Sequence, residues 1–208
     1  MELRLVGSEM CIRDRSMSSK YRGMTIAEAA KIRGESPEEA IVNLIIEDGS
    51  RIQCIYFSMS EDNVRKKIML PWVSFDSDAG SYSDISKDFI THPRAFGSFA
   101  RVLGKYVREE KLITMEEAIR RLSGFPAENL GIKKRGYLKT GFFADVVVFD
   151  PKIIEDKATF EKPLQFAVGV EDVFVNGTQV LSKGEHTGNF SGRFVKGSGY
   201  RGLNNFED

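Results

Sequence analysis

The sequence of 208 residues is poor in cysteine and histidine. Cys11 and Cys54 are its two cysteines, too few for the disulfide framework of a small secreted domain. His92 and His186 are its two histidines, so the paired-histidine spacing of a zinc site is missing. This cysteine usage predicts a reducing, cytoplasmic location.

Net charge is absent too, because 30 basic residues balance 30 acidic ones. The balance gives no electrostatic reason to expect nucleic acid or an anionic membrane surface as a partner. No apolar run approaches the ~20 residues that a membrane-spanning helix needs. The 41% of hydrophobic and 11% of aromatic residues are ample for a packed core. We therefore expect a globular chain that acts on small molecules.

The first sixteen residues differ in character from the rest of the chain. Their sequence resembles the translation of a sequencing adapter, and it lacks the apolar core that a signal peptide needs. Its acidic and basic residues balance, so the rest of the chain also has no net charge. We predict that residues 1–16 are a leader that is not part of the native protein.

Residues 17–134 show a pattern of alternating helices and strands. Serine or threonine followed three residues later by glutamate marks two helix starts, at Ser36 and Thr114. The predicted elements are helices at 25–33 and 36–49, a strand at 52–59, a helix at 60–70, a strand at 72–76, and helices at 96–111, 115–122 and 126–131. The alternation favours an α/β fold with parallel strands.

Residues 135–208 are punctuated by glycine and rich in β-branched residues. The predicted strands are 137–138, 144–149, 173–175 and 179–181. Asn176-Gly177 is a strong signal for a two-residue hairpin turn between the last two. We predict a separate, small β unit with a glycine-rich tail.

Asp78 is the candidate catalytic residue, because it follows the apolar run that begins at Pro71. In a parallel α/β barrel the carboxyl ends of the strands form the active-site rim, so this carboxylate would face the pocket. An aspartate at the end of a strand more often serves a turn or a helix cap. A calcium loop that starts at Asp76 is excluded, since Ser81 and Lys87 replace its glycine and its bidentate glutamate.

His92 and Arg94 are candidates for ligand binding in the loop that follows. A lone histidine can bind a metal, but it more often fixes a loop through a hydrogen bond. An arginine here can clamp a carboxylate through two hydrogen bonds, although a solvated arginine is the ordinary case.

Several stretches together resemble a known family. They are residues 77–79, 92–104, 144–151, 158–160, 173–177 and 192–193. In this order they are similar to the carboxyl-terminal part of the N-acyl-D-amino-acid deacylases (D-aminoacylases) of the amidohydrolase superfamily. The likeness extends from about Tyr21 to about Gly197.

The resemblance implies the carboxyl-terminal portion of a metal-dependent TIM-like barrel and part of a small β-sandwich. Asp78 would take a proton from a zinc-activated water that attacks the amide carbon, and would then give it to the leaving amine. Arg94 would grip the carboxylate of an N-acyl-D-amino acid, and His92 would shape the loop. Asp78 is also a candidate metal ligand.

The chain departs from the family pattern in one respect. A complete barrel needs ~250 residues, and residues 17–134 can supply only its last strands and helices. A catalytic zinc ion usually has three protein ligands, and the family's cysteine and histidine ligands on earlier strands have no counterparts here. We therefore expect a fragment that is inactive alone and whose full-length parent holds zinc. The alternatives are a dihydroorotase-like or hydantoinase-like amidohydrolase, which acts on cyclic or linear amides, and a non-catalytic binding module.

Overall fold

The computed structural model of the chain describes residues 11–12, 20–21, 23–49, 54–57, 59–80, 91–197 and 199–200. Its elements are, in chain order, β1 (Cys11–Ile12), α1 (Ile26–Arg33), α2 (Pro37–Asp48), β2 (Cys54–Ile55), α3 (Glu61–Ile68), α4 (Arg94–Arg101), a π-helix (Val102–Glu109), α5 (Met115–Leu122), α6 (Gly124–Asn129), β3 (Val146–Phe149), β4 (Val170–Val175), β5 (Thr178–Ser182) and β6 (Glu185–His186). The expected mixture of helices and sheet is confirmed, and the proposed domain boundaries stay a prediction.

Helices α1 and α2 pack together near the amino-terminal end of the described chain. Thr25 and Ser36 cap them, and each hydroxyl accepts a hydrogen bond from the N–H of a glutamate that caps in return. Gly34 and Gly49 end the two helices in the left-handed conformation that glycine adopts without strain. Both predicted helices are confirmed. The core between them consists of Tyr21, which precedes α1, and of the helix residues Ile26, Ala29, Ala30, Ala40 and Leu44.

Two residues of the leader form a strand that the sequence analysis did not anticipate. Cys11 and Ile12 pair antiparallel with Ile55 and Cys54 of β2. The strand predicted at 52–59 is therefore observed as two residues within the described part of that range. The other leader residues lie outside the described part of the chain, and their assignment stays a prediction.

The strand predicted at 72–76 is wrong. After a turn, this segment has no regular secondary structure up to residue 80, and Trp72 is 69% exposed. A strand needs a neighbour for its main-chain groups, and none of the described strands pairs with this segment. The carbonyl groups of Ile68 and Val73 accept hydrogen bonds from the side chain of Arg121 instead.

The helix predicted at 96–111 is formed, with a change of geometry along its length. At Val102 helix α4 passes into the π-helix, where each N–H bonds to a carbonyl five residues earlier, as Glu110 does to Lys105. Phe99, in helix α4, is 50% exposed. The residues that the π-helix buries are Val102, Leu103, Gly104, Tyr106 and Val107.

Helices α5 and α6 follow in quick succession. Thr114 caps α5 as predicted, but Glu117 does not complete a capping box and pairs with Arg120 instead. Helix α6 begins at Gly124, two residues before the predicted start at Pro126.

Strands β3, β4, β5 and β6 form one antiparallel sheet in that order. The hairpin between β4 and β5 is confirmed, and its turn residues Asn176 and Gly177 both have positive φ, as a type I′ turn requires. The strand predicted at 137–138 is not formed, and the Tyr137 hydroxyl donates to Glu128 of α6. The strand pairs in the described chain are all antiparallel, so the parallel pairing expected for residues 17–134 is not observed there.

The helices around the π-helix share a core with the sheet region. Its buried residues are Ala100, Val102, Leu103, Val107, Ala118 and Ile154. Gly104 permits this close packing, because a Cβ atom there would lie 2.6 Å from the carbonyl oxygen of Ile154. In the described ranges, none of the helices combines the length and apolarity required to cross a membrane.

Candidate active site

Asp78 lies in the irregular segment that follows Trp72. Its φ of 46° falls in the left-handed region, which is uncommon for residues other than glycine. Its side chain is 83% exposed, so the carboxylate is open to solvent and to a ligand. The neighbouring Asp76 carboxylate accepts a hydrogen bond from the Ser77 N–H at 2.7 Å. Asp78 is thus presented outward from an irregular segment.

Arg94 is the first residue of α4, and its guanidinium lies beside Asp78. The distance from Arg94 Nη2 to Asp78 Oδ2 is 3.0 Å. Pro93 precedes it with helical dihedral angles, which suits proline at a helix start. Two of the three residues selected from the sequence are therefore in direct contact.

His92 contacts the same helix start. Its Nδ1 accepts a hydrogen bond from the main-chain N–H of Arg94 at 3.0 Å, which satisfies one of the N–H groups that a helix start leaves without an intrahelical partner. Its ring packs edge-on against Phe160, with ring centroids 5.1 Å apart. These contacts are those of a residue that fixes a loop.

Arg121 is a buried polar residue near the site that the sequence analysis missed. Its exposed fraction is 0%, and burial lowers the pKa of its guanidinium from the usual value. Nε donates to the Val73 carbonyl at 2.5 Å, and Nη1 donates to the Ile68 carbonyl at 2.6 Å. The guanidinium carbon lies 4.4 Å from the centre of the Phe75 ring. In sequence it looks like its neighbour Arg120, an ordinary basic residue in the last turn of a helix.

A cavity of about 770 Å³ adjoins Arg94 between helices α4 and α5 and the sheet. Its volume is in the range typical of small-molecule sites. Ser77 and Arg94 supply polar groups, while Phe96, Leu103 and Leu122 are among its apolar walls. Asp78 does not line the cavity. Arg94 therefore connects the ion pair with the cavity, because it belongs to both.

The described residues do not assemble a metal site. No three His, Cys, Asp or Glu side chains among them lie close enough together to hold an ion. His186 lies on β6, where its Nδ1 accepts a hydrogen bond from the Gly188 N–H. A catalytic zinc ion usually has three protein ligands. The donor set of the described residues therefore does not fit zinc by itself.

Comparison with family models identifies the family of the chain that carries this ion pair. Residues 14–181 match the model of the amidohydrolase family. Since the match covers most of the chain, the chain belongs to the amidohydrolase family.

Within that family the chain is similar to enzymes that act on N-acyl-D-amino acids. It is 36% identical to the D-aminoacylase of Alcaligenes xylosoxydans xylosoxydans over 83% of this chain and 34% of the relative. It is 42% identical to the N-acyl-D-glutamate deacylase of that organism, over 61% of this chain and 25% of the relative. A dihydroorotase of Lactobacillus acidophilus is 36% identical over a shorter stretch, 37% of this chain.

Solved structures agree with these similarities. A crystal structure of D-aminoacylase superposes with a TM-score of 0.80 at 32% identity, over 92% of this chain and 38% of that one. The N-acyl-D-glutamate deacylase of Bordetella bronchiseptica, in complex with zinc and a phosphonate inhibitor, gives a TM-score of 0.74 at 35% identity. That match covers 86% of this chain and 36% of the other. The chain thus spans about a third of the length of the relatives it matches.

Proposed function

We propose that this chain belongs to a metal-dependent hydrolase that cleaves the amide bond of N-acyl-D-amino acids. The observation that carries the proposal is the 3.0 Å contact between Asp78 and Arg94. This contact supports the proposal, because a carboxylate is a group that can transfer a proton and a guanidinium is a group that suits binding of a substrate carboxylate. The substrate class is taken from the names of the relatives, D-aminoacylase and N-acyl-D-glutamate deacylase.

In this proposal the Asp78 carboxylate transfers the proton of the reaction. It accepts a proton as an O–H bond of the attacking water breaks and the oxygen bonds to the amide carbon. It then gives that proton to the amine nitrogen as the carbon–nitrogen bond breaks. The exposed position of Asp78 supports this role, because a bound substrate could reach the carboxylate.

Arg94 binds the α-carboxylate of the substrate in this proposal. A guanidinium offers a planar pair of donors that matches a carboxylate. The substrate carboxylate would replace Asp78 on Arg94, which would release Asp78 for proton transfer. His92 would hold Arg94 in place through the hydrogen bond to its main-chain N–H.

Zinc is the proposed metal, held mostly by residues outside the described part of the chain. The zinc-bound deacylase of Bordetella bronchiseptica supports this choice. Because the described residues do not form a metal site, no step above depends on the ion. The low cysteine content supports a cytoplasmic location.

A chimera tests this proposal. Residues 21–181 of this chain replace the matching segment of the D-aminoacylase of Alcaligenes xylosoxydans xylosoxydans, and release of methionine from N-acetyl-D-methionine is measured by chromatography. We expect hydrolysis of the D-form with zinc, much less of the L-form, and none by the 208-residue chain alone. A folded, zinc-loaded chimera that leaves N-acetyl-D-methionine intact would contradict the proposal.

A cyclic amide is the second candidate substrate. The similarity to a dihydroorotase over 77 residues favours it. The same chimera is therefore also assayed with dihydroorotate. Turnover of dihydroorotate without turnover of N-acetyl-D-methionine would select this alternative, and turnover of neither would favour a non-catalytic module.

A further inference from the structure

Arg121 occupies an unusual environment for a charged side chain. It is fully buried in the last turn of α5, and it forms no ion pair with any residue in the described ranges. Its Nη2 has no acceptor among the described residues either. A buried charge without a counter-ion is costly, so its contacts with the main chain have to offset that cost.

Those contacts all reach the segment that leads to Asp78. Nε and Nη1 donate to the carbonyl groups of Val73 and Ile68, and the guanidinium stacks on the Phe75 ring. The main-chain N–H of Phe75 in turn donates a hydrogen bond to the Arg121 carbonyl at 3.5 Å. The Arg121 side chain therefore bonds two carbonyls that are five residues apart. It also covers the ring of Phe75, which lies between these carbonyls and Asp78 in the sequence.

The other described contacts of the segment include a hydrogen bond from Arg120 to the Pro71 carbonyl and the packing of Phe75 against the core around Ala118. The segment pairs with none of the described strands, and its sole tryptophan, Trp72, is largely exposed. Phe75 lies three residues before Asp78, a contour length of roughly 10 Å. A change in the main chain at Phe75 would therefore move the carboxylate relative to Arg94.

We infer that Arg121 is a positioning residue, which fixes residues 68–75 so that the Asp78 carboxylate meets Arg94. The effect of Arg121 on catalysis rests on the proposed function. Its effect on the structure of residues 68–75 rests only on the contacts of Arg121. Lysine can replace it only in part, because an ammonium lacks the planar fork that bonds two carbonyls and stacks on a ring.

The first test uses the full 208-residue chain. In Arg121→Met, amide hydrogen exchange at Val73 and Phe75, whose N–H groups bond the carbonyls of Leu70 and Arg121, is expected to be at least about tenfold faster, since the hydrogen bonds from a charged donor that hold the segment are lost. The fluorescence anisotropy of Trp72, the sole tryptophan, is expected to fall. Arg108→Met is the matched control, because Arg108 also donates to main-chain carbonyls, at Pro151 and Ile154. Unchanged exchange in a folded Arg121→Met chain would overturn the inference.

A second variant covers the case in which Arg121→Met fails to fold. Phe75→Leu removes the stacked ring and keeps both hydrogen bonds. It is expected to speed exchange at Val73 and Phe75 by a smaller factor, and exchange equal to wild type would overturn the inference. Relative to Arg121→Met, Arg121→Lys is expected to restore only part of the protection, since its ammonium can donate to a carbonyl but cannot stack as a planar group on the Phe75 ring.

The catalytic part is tested in the chimera. Arg121→Met is expected to lower kcat for N-acetyl-D-methionine about tenfold with a KM within about twofold, because a displaced proton-transfer group affects the chemical step. Arg108→Met is expected to leave both constants unchanged. Wild-type kcat in Arg121→Met would overturn positioning while the proposed function stands. An inactive parent chimera with faster exchange in Arg121→Met would overturn the proposed function and leave the structural role of Arg121 intact.

Discussion

The Oδ2 atom of Asp78 lies 3.0 Å from Nη2 of Arg94, and stability alone does not account for this arrangement. Exposed ion pairs contribute about 0–1 kcal/mol. The left-handed φ of 46° at Asp78 carries a cost of at most about 1–2 kcal/mol, which aspartate tolerates better than most residues with a side chain. The pair therefore adds little net stability. We propose that this exposed acid next to a guanidinium serves binding or catalysis.

The first prediction concerns the Asp78 carboxylate. Asp78→Asn keeps the size of the side chain and tolerates the left-handed conformation, but it cannot accept a proton. In the chimera we expect kcat for N-acetyl-D-methionine to fall by about 10² or more. The free energy of unfolding of the 208-residue chain should change by less than about 1 kcal/mol, as measured by urea titration.

Asp76→Asn is the control for Asp78→Asn, since Asp76 is exposed, two residues away, and bonded to the Ser77 N–H. We expect it to retain most of the activity. Equal losses in the two variants would assign the effect to the segment as a whole instead of to the Asp78 carboxylate.

The second prediction concerns Arg94 as the carboxylate-binding group. Arg94→Lys keeps the charge and removes the planar pair of donors, so KM for N-acetyl-D-methionine should rise about tenfold with a smaller change in kcat. Steady-state kinetics with N-acetyl-D-methioninamide, which lacks the carboxylate, should show no difference between Arg94→Lys and the parent. Arg101→Lys, in the same helix and paired with Asp156, is the control.

Local signals in the sequence were sufficient to predict most of the helices. The Ser36 and Thr114 signals predicted the starts of α2 and α5 correctly, because caps depend on residues within one turn. Asn176-Gly177 predicted its hairpin for the same reason. The strand at 72–76 was wrong, because strand formation depends on a distant neighbour that local patterns do not report.

The site could be predicted only in part. Asp78 and Arg94 were selected from their places in the sequence, and the family resemblance gave them their roles. Their mutual contact was not foreseen, because the positive φ of Asp78 has no signal in an Asp-Ala dipeptide. Arg121 was missed because burial of an arginine at the end of an amphipathic helix depends on how the helix packs. The π-helix was missed because π and α geometry place apolar residues at similar spacing.

The third prediction concerns the acid sensitivity of the contact between α3 and the π-helix. Hydrogen bonds from Arg65 hold the pKa of Glu110, the residue after the π-helix, below its ordinary value, and Lys105 adds to this effect while Glu61 opposes it. A lowered pKa gives stability that is present above the unfolded pKa of about 4.3 and lost as pH falls through the folded pKa. Glu110→Gln should therefore be less stable than wild type at pH 7, by urea titration, and this difference should shrink as pH falls below about 4.

The partner variant provides the control for this pH dependence. Arg65→Gln removes the other half of the same contact, in which Nε and Nη2 of Arg65 bond the two oxygens of Glu110 at 2.8 and 3.1 Å. The difference in stability between Arg65→Gln and wild type should also shrink as the pH falls. The double variant should be no less stable than either single variant. Strictly additive effects would mean that the two side chains act separately.

The fourth prediction concerns the close contact between the π-helix and the chain before β4. A Cβ atom at Gly104 would lie 2.6 Å from the main-chain oxygen of Ile154 and 3.4 Å from Cα of Glu155. Main-chain atoms cannot move aside as a flexible side chain can, so Gly104→Ala must push the π-helix away from buried Ile154. We expect the free energy of unfolding to fall by about 1–3 kcal/mol in urea titration.

Gly192→Ala is the matched control for Gly104→Ala, since a Cβ atom there has no heavy atom within 4 Å among the described residues and its φ is not positive. We expect it to change stability by less than about 1 kcal/mol, because it mainly reduces the freedom of the unfolded chain. If Gly104→Ala were as mild as Gly192→Ala, the π-helix could separate from Ile154 at little cost. The core shared by helices and sheet would then be loose at the point where α4, which carries Arg94, continues into the π-helix, and the position of Arg94 would have to depend on His92 instead.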